Sequence, residues 1–191
     1  TVADPSRSLL VCGDDDPFNR WESIQELALQ ALRAGAQDPG TVQHLPDALE
    51  RALASTLQDG TMDPAFRAEL LSLPSEDYVG EQMAVIAVDA IHQARDALLS
   101  HIGHHFHGTW LNLYHDLAGA YAARDGLSIG RRRLRNMALS YLVYSDRHRQ
   151  DDMTLHARQQ YVQADNMTDR LAAFQLLVQH PPHDADDIRM D

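Results

Sequence analysis

Apolar residues recur at helical spacing in one segment after another, and most of these segments carry their own start and stop signals. Asp16-Pro17 and Asp63-Pro64 each set a capping carboxylate before a proline, which suits only the first helical position. After the first come Trp21, Ile24, Ala28 and Leu32, with Gly35 as the expected end and Asp38-Pro-Gly40 as a turn. Leu45, Leu49, Leu53 and Leu57 repeat at i+4 steps and predict a helix over 45–57, stopped by Asp59-Gly60. Phe66, Leu70 and Leu71 predict another, closed before Pro74, and one or two helical turns are expected between Ser75 and Met83.

Asp89 is the expected cap of a helix through Ile91, Leu98 and Ile102. Gly103 and Gly108 interrupt the pattern before it resumes at Phe106, Trp110, Leu113, Leu117 and Tyr121. One bent helix or two helices jointed near Gly103 both fit. Ser128 is the expected start of a helix reaching about Tyr144, with Leu134, Ala138, Tyr141 and Leu142 on one face. A helix over 151–162 follows. Asn166 then reads as an N-cap with Asp169 as its capping-box partner, opening a helix over 167–180. The competing reading is one uninterrupted helix over 151–180. Met167, Leu171, Phe174 and Val178 form the apolar stripe of this last segment, and Trp21, Trp110, Tyr121, Tyr141 and Phe174 are expected in the core. No strand alternation of useful length competes. The expected architecture is all-α, with antiparallel helical hairpins stacked as an α-α superhelix of the HEAT or armadillo kind. Residues 1–191 are expected to form a single helical domain, incomplete at both ends and part of a larger one.

The formal charge of −12 disfavours nucleic acid as a general partner. No run approaches the roughly 18 apolar residues of a membrane helix, and a single cysteine, Cys12, excludes an internal disulfide and suits the cytoplasm. Candidate chemistry is sparse. His101, His104, His105 and His107 cluster, and His101 and His105 stand one helical turn apart at a zinc-like spacing, a possible metal pair that lacks a third ligand. Arg131, Arg132, Arg133 and Arg135 crowd a helix start, where cations oppose the helix dipole, so a neighbouring acid is expected to compensate. Gly126-Leu-Ser-Ile-Gly130 lacks the lysine of a phosphate loop, and no Gly-x-Ser-x-Gly elbow occurs.

Four stretches together resemble one family. They are Asp16-Pro-Phe-Asn-Arg-Trp-Glu22, Asp63-Pro64 through Leu70, Leu73 and Pro74, Arg133-Leu-Arg-Asn136 continuing to Leu139 and Leu142, and Ala164-Asp-Asn-Met-Thr-Asp-Arg-Leu-Ala-Ala173. In this order, over most of 14–178, the chain is similar to the carboxyl-terminal helical domain of the bacterial zinc alanyl aminopeptidases, the aminopeptidase N family. The resemblance implies layered helical hairpins that wall and gate the chamber of a cytoplasmic peptide hydrolase. It implies zinc in the parent enzyme and the catalytic and other domains of the same polypeptide as partners, with peptides bound by the whole. It implies no catalytic residue, zinc ligand or known substrate contact in this chain. The family's His-Glu-x-x-His signature is absent, since none of the 11 histidines precedes a glutamate, and its Gly-x-Met-Glu-Asn motif is absent too. The isolated chain is expected to be inactive and to self-associate through surface that other domains cover. Two rivals remain at this point: a stand-alone helical-repeat module binding a peptide or protein, and a His-rich metal-binding bundle.

Overall fold

A computed structural model describes residues 16–119, 125–145 and 153–181. Among them stand nine α-helices: α1 (Pro17–Gln37), α2 (Asp47–Gln58), α3 (Pro64–Leu70), α4 (Glu76–Glu81), α5 (Val88–His105), α6 (His107–Asp116), α7 (Gly126–Ser145), α8 (Thr154–Gln163) and α9 (Met167–Gln179). A 3-10 helix, Pro39–Gln43, occupies the expected turn, and the described residues contain no strand. The all-α expectation holds. Cys12 and Tyr121 lie outside the described residues.

The chain divides into two compact units, Thr1–Ile102 and Gly103–Asp191. In the first, α1 packs on α2, α3 and α4. Its start is the expected one: Asp16 accepts from the Phe18 amide at 2.9 Å. Asp63 caps α3 in the same way, and Ser75 caps α4. Gly35 does not end α1. It is buried inside the helix, which runs two residues further to Gln37, because the Asp38 amide still finds the Ala34 carbonyl. Ile24, Ala28 and Leu32 of α1, and Leu45, Leu49, Leu53 and Leu57 on and just before α2, are all buried in this unit. Burying a leucine contributes about 1.5–3 kcal/mol, so this stripe is a substantial part of the unit's stability. Long side chains tie the loops to the helices. Arg67 on α3 donates to the carbonyls of Thr56 and Leu57 at the end of α2, where a cation suits the helix dipole. Gln25 reaches the Ser72 carbonyl at 2.8 Å, and Arg95 reaches that of Pro74 at 3.1 Å.

In the second unit α6 packs on α7, and α9 packs on both α7 and α8. The joint in the long segment falls at Phe106, between α5 and α6. Gly103 lies inside α5 and serves packing instead: a Cβ there would collide with the Tyr141 carbonyl oxygen and stand 3.0 Å from the Ser145 Cβ. Trp110 is fully buried and stacks on Tyr141 at 4.4 Å, as the stripes predict. Ser128 is not the start of α7. The helix begins at Gly126, and Asp125 supplies the cap, accepting from the Ser128 amide at 2.8 Å. That carboxyl is held below its ordinary range by the backbone and hydroxyl of Ser128 and then by Arg131, so Asp125 is an acid beside the first of the four arginines.

Two further expectations about aromatic burial change. Trp21 is half-buried beside Phe18, and Phe174 is about half exposed. Phe174 belongs to the stripe Met167, Leu171, Phe174 and Val178, all of which face solvent, whereas Asp169, Ala173 and Leu176 are the buried residues of α9. The stripe is a helix face, as its spacing requires, but not the face that the core uses.

Candidate functional site

Asp169 is a carboxylate only 3 % exposed, and the local sequence explains how it survives burial. Asn166 takes extended backbone and caps α9, its Oδ1 accepting from the Asp169 amide at 2.9 Å. Its Nδ2 donates back to the Asp169 carboxylate at 2.9 Å. This is a capping box closed through the side-chain amide rather than the backbone one. The break at 164–166 also decides against an uninterrupted helix over 151–180. The carboxylate thus sits on the positive end of α9, which favours its charge.

From Asp169 the network runs inward across three helices. Asn136 on α7 donates to the carboxylate at 2.8 Å and accepts from Gln160 on α8 at 2.7 Å. Gln160 also donates to the Asp169 carbonyl at 3.1 Å and accepts from the Tyr114 hydroxyl on α6 at 3.3 Å. Each amide nitrogen donates and each amide oxygen accepts, so the set is self-consistent and satisfied, the condition under which buried polar groups specify one arrangement. Arg135 closes the far side. Its guanidinium lies 4.4 Å over the Tyr114 ring, and its Nε donates to the Tyr114 carbonyl at 3.3 Å. Burial raises the Tyr114 pKa above its ordinary value; Arg135 opposes that shift and Asp169 adds to it. His156 packs edge-on against Tyr114 and against His115, each at 5.9 Å. Desolvation, then the proximity of His115, lowers its pKa. Its buried Nδ1 has no hydrogen-bond partner among the described residues.

The arrangement fastens the α8–α9 hairpin to α6 and α7 in one register. Two of the family-like stretches, Arg133–Asn136 and Ala164–Ala173, meet in it through Asn136, Asn166 and Asp169. Sequence reasoning placed Asn166 and Asp169 at a helix start but did not pair them with Asn136. Tyr114 and Gln160 were missed as partners. The available signal was an amide, Asn136, just ahead of the buried run Ala138, Leu139, Tyr141 and Leu142.

The clustered histidines lie on α5 and at the start of α6. His101 is half-buried and His105 exposed on α5, and His105 packs edge-on against Phe106 at 4.6 Å. His107 bonds the Ser145 hydroxyl at 3.2 Å. Among the described residues no three His, Cys, Asp or Glu side chains converge as a metal site, and none of the described helices is long and apolar enough to cross a membrane.

Comparison with known proteins supplies the context. A family described as a domain of unknown function (DUF3458_C) with ARM repeats matches residues 4–191. Aminopeptidase N of Caulobacter vibrioides is 36% identical over 185 residues, covering 93% of this chain and 20% of that protein. Aminopeptidase N of Escherichia coli is 31% identical over 172 residues, covering 88% of this chain and 19% of that protein. The chain therefore spans about a fifth of the length of these relatives. Among solved structures, Legionella pneumophila aminopeptidase A in complex with aspartic acid superposes with a TM-score of 0.77 at 20% identity, over 94% of this chain and 22% of that one. At that identity the likeness concerns the fold.

Proposed function

The chain belongs to the DUF3458_C family of ARM-repeat domains, and from that membership we propose that it is part of the carboxyl-terminal helical domain of a cytoplasmic zinc aminopeptidase. In this reading the two units are parts of one scaffold that walls and gates the chamber where amino-terminal residues are removed from peptides. Zinc and its ligands belong to another part of the polypeptide, and this chain contributes neither ligand nor catalytic group. The observation that carries the reading is the match to aminopeptidase N across nearly the whole chain, two of whose family-like stretches meet in a satisfied structural network rather than around a reactive group. The same scaffold explains why no His-Glu-x-x-His is needed within these residues. The pair His101 and His105 is assigned no metal in this reading.

The test is hydrolysis of an alanyl anilide by the full-length polypeptide and by the 191-residue chain. The reading expects chelator-sensitive turnover from the first and none from the second, with or without added zinc. Turnover by the isolated chain that disappears in a His101→Ala, His105→Ala variant would overturn it, as would a full-length protein with no peptidase activity.

A further inference from the structure

Met167, Leu171, Phe174 and Val178 make one exposed apolar ridge along α9, and Tyr161 of α8 extends it, its ring 6.1 Å from that of Phe174. A ridge of large apolar side chains at i, i+4, i+7 and i+11 is the shape that packs into the groove of another helix. The ridge cannot turn inward. Rotating α9 to bury it would pull Asp169 away from Asn136 and Gln160 and break the Asn166 cap, leaving several buried polar groups without partners. Helix α9 is thus fixed with its network face on its own hairpin and α7, and with its apolar ridge left over.

We infer that this ridge is a docking surface for an amphipathic helical hairpin, the neighbouring repeat contributed by the rest of a longer polypeptide. The inference rests on the scaffold reading above and names the surface which that scaffold uses. Two observations choose this occupant. ARM repeats bury their faces only against neighbouring repeats, and a terminal repeat carries a polar outer face, so a hairpin whose outer face is apolar while its inner face is already packed is built as an interior repeat. The relatives are about five times longer than this chain, so they contain ample polypeptide to supply the neighbour.

Cysteine labelling tests it. In a Cys12→Ser background, Leu171→Cys and Val178→Cys report on the ridge, and Arg51→Cys on the exposed side of α2 is the control. Maleimide rates are compared between the 191-residue chain at low concentration and the full-length polypeptide. The expected result is roughly 100-fold slower labelling of both ridge positions in the full-length polypeptide, with the control unchanged within about twofold. Equal rates in the two contexts would overturn the proposal. So would protection that rises with concentration in the 191-residue chain and is no greater in the full-length polypeptide, since that assigns the ridge to a second copy. A reading frame confined to these residues would overturn it outright. Leu171→Glu supplies an independent readout: it should lower the Tm of the full-length polypeptide and leave that of the 191-residue chain unchanged, and equal shifts in both would contradict the proposal. Labelling does not depend on peptidase activity. A full-length polypeptide that is inactive yet protects Leu171 sinks the enzymatic reading alone, and an active one with freely labelled Leu171 sinks this one alone.

Discussion

In α2, Leu49, Leu53 and Leu57 stand one turn apart and all three are buried; in α9, Met167, Leu171, Phe174 and Val178 follow the same helical spacing and all four face solvent. On α2 the buried Thr56 hydroxyl is satisfied within its own helix by the Ala52 carbonyl, and Arg67 closes the last carbonyls from outside. Around α9 the polar groups are inside, with Asp169 at their centre. The difference shows that periodicity identifies a face that needs covering but not the partner that covers it. In α2 the leucine stripe is the one apolar face, and its own unit buries it. In α9 the hairpin's inner face is committed by hydrogen bonds and small residues, so the larger apolar side chains are left for something else.

Truncating the α2 stripe should have the largest effect. Leu53→Ala removes a side chain 1 % exposed and should destabilise by about 3 kcal/mol, measured by chemical denaturation of the isolated chain. A loss below 1 kcal/mol would mean that the stripe of α2 is no more committed than that of α9.

Next comes the inner face of α9. Asp169→Ala takes the acceptor from the Asn136 amide and should cost about 2 kcal/mol. Combining it with Asn136→Ala should cost clearly less than the sum of the two single changes, because both remove the same bond. Additivity would show that the two residues are not partners.

The cap makes a smaller and more particular prediction. Asn166→Ala should cost about 1 kcal/mol. Aspartate is normally as good a cap, yet here Asn166→Asp should also destabilise, because it replaces the amide that donates to Asp169 with a second carboxylate. Near-neutral behaviour of Asn166→Asp would mean that the capping box does not close through the side chain.

The smallest effect concerns how dry the inner side of α8 is. With its pKa lowered in the folded state, His156 resists protonation there, while the unfolded chain takes up the proton near the ordinary value of 6.5. Stability from this source is therefore complete above that pH and is lost as the pH falls through it towards the lower folded value. His156→Phe keeps the ring beside Tyr114 and should flatten this part of the stability–pH curve; an unchanged slope would show His156 to be solvated.

Much of the fold was legible because capping is local chemistry. Asp16, Asp63, Ser75 and Asn166 begin their helices where the sequence indicates. Ser128 misled because a better cap, Asp125, lies three residues upstream. Gly103 was legible as a disruption of the apolar pattern, but its cause is the close approach of Tyr141, which no local rule contains. The network was the least legible part. Asn136 and Asp169 are 33 residues apart, and a bond between them exists only after α7, α8 and α9 have packed. The family-like stretches marked these residues without saying that they touch.

The central claim is that α9 holds a fixed rotation, with its network side inward and its apolar ridge outward. Leucines on its two faces test this within one helix: Leu176 is 6 % exposed and Leu171 49 %. In the isolated chain at low concentration, Leu176→Ala should cost about 2–5 kcal/mol, and Leu171→Ala should stay within about 0.5 kcal/mol of the parent. Equal losses at the two positions, or a larger one at Leu171, would contradict the account.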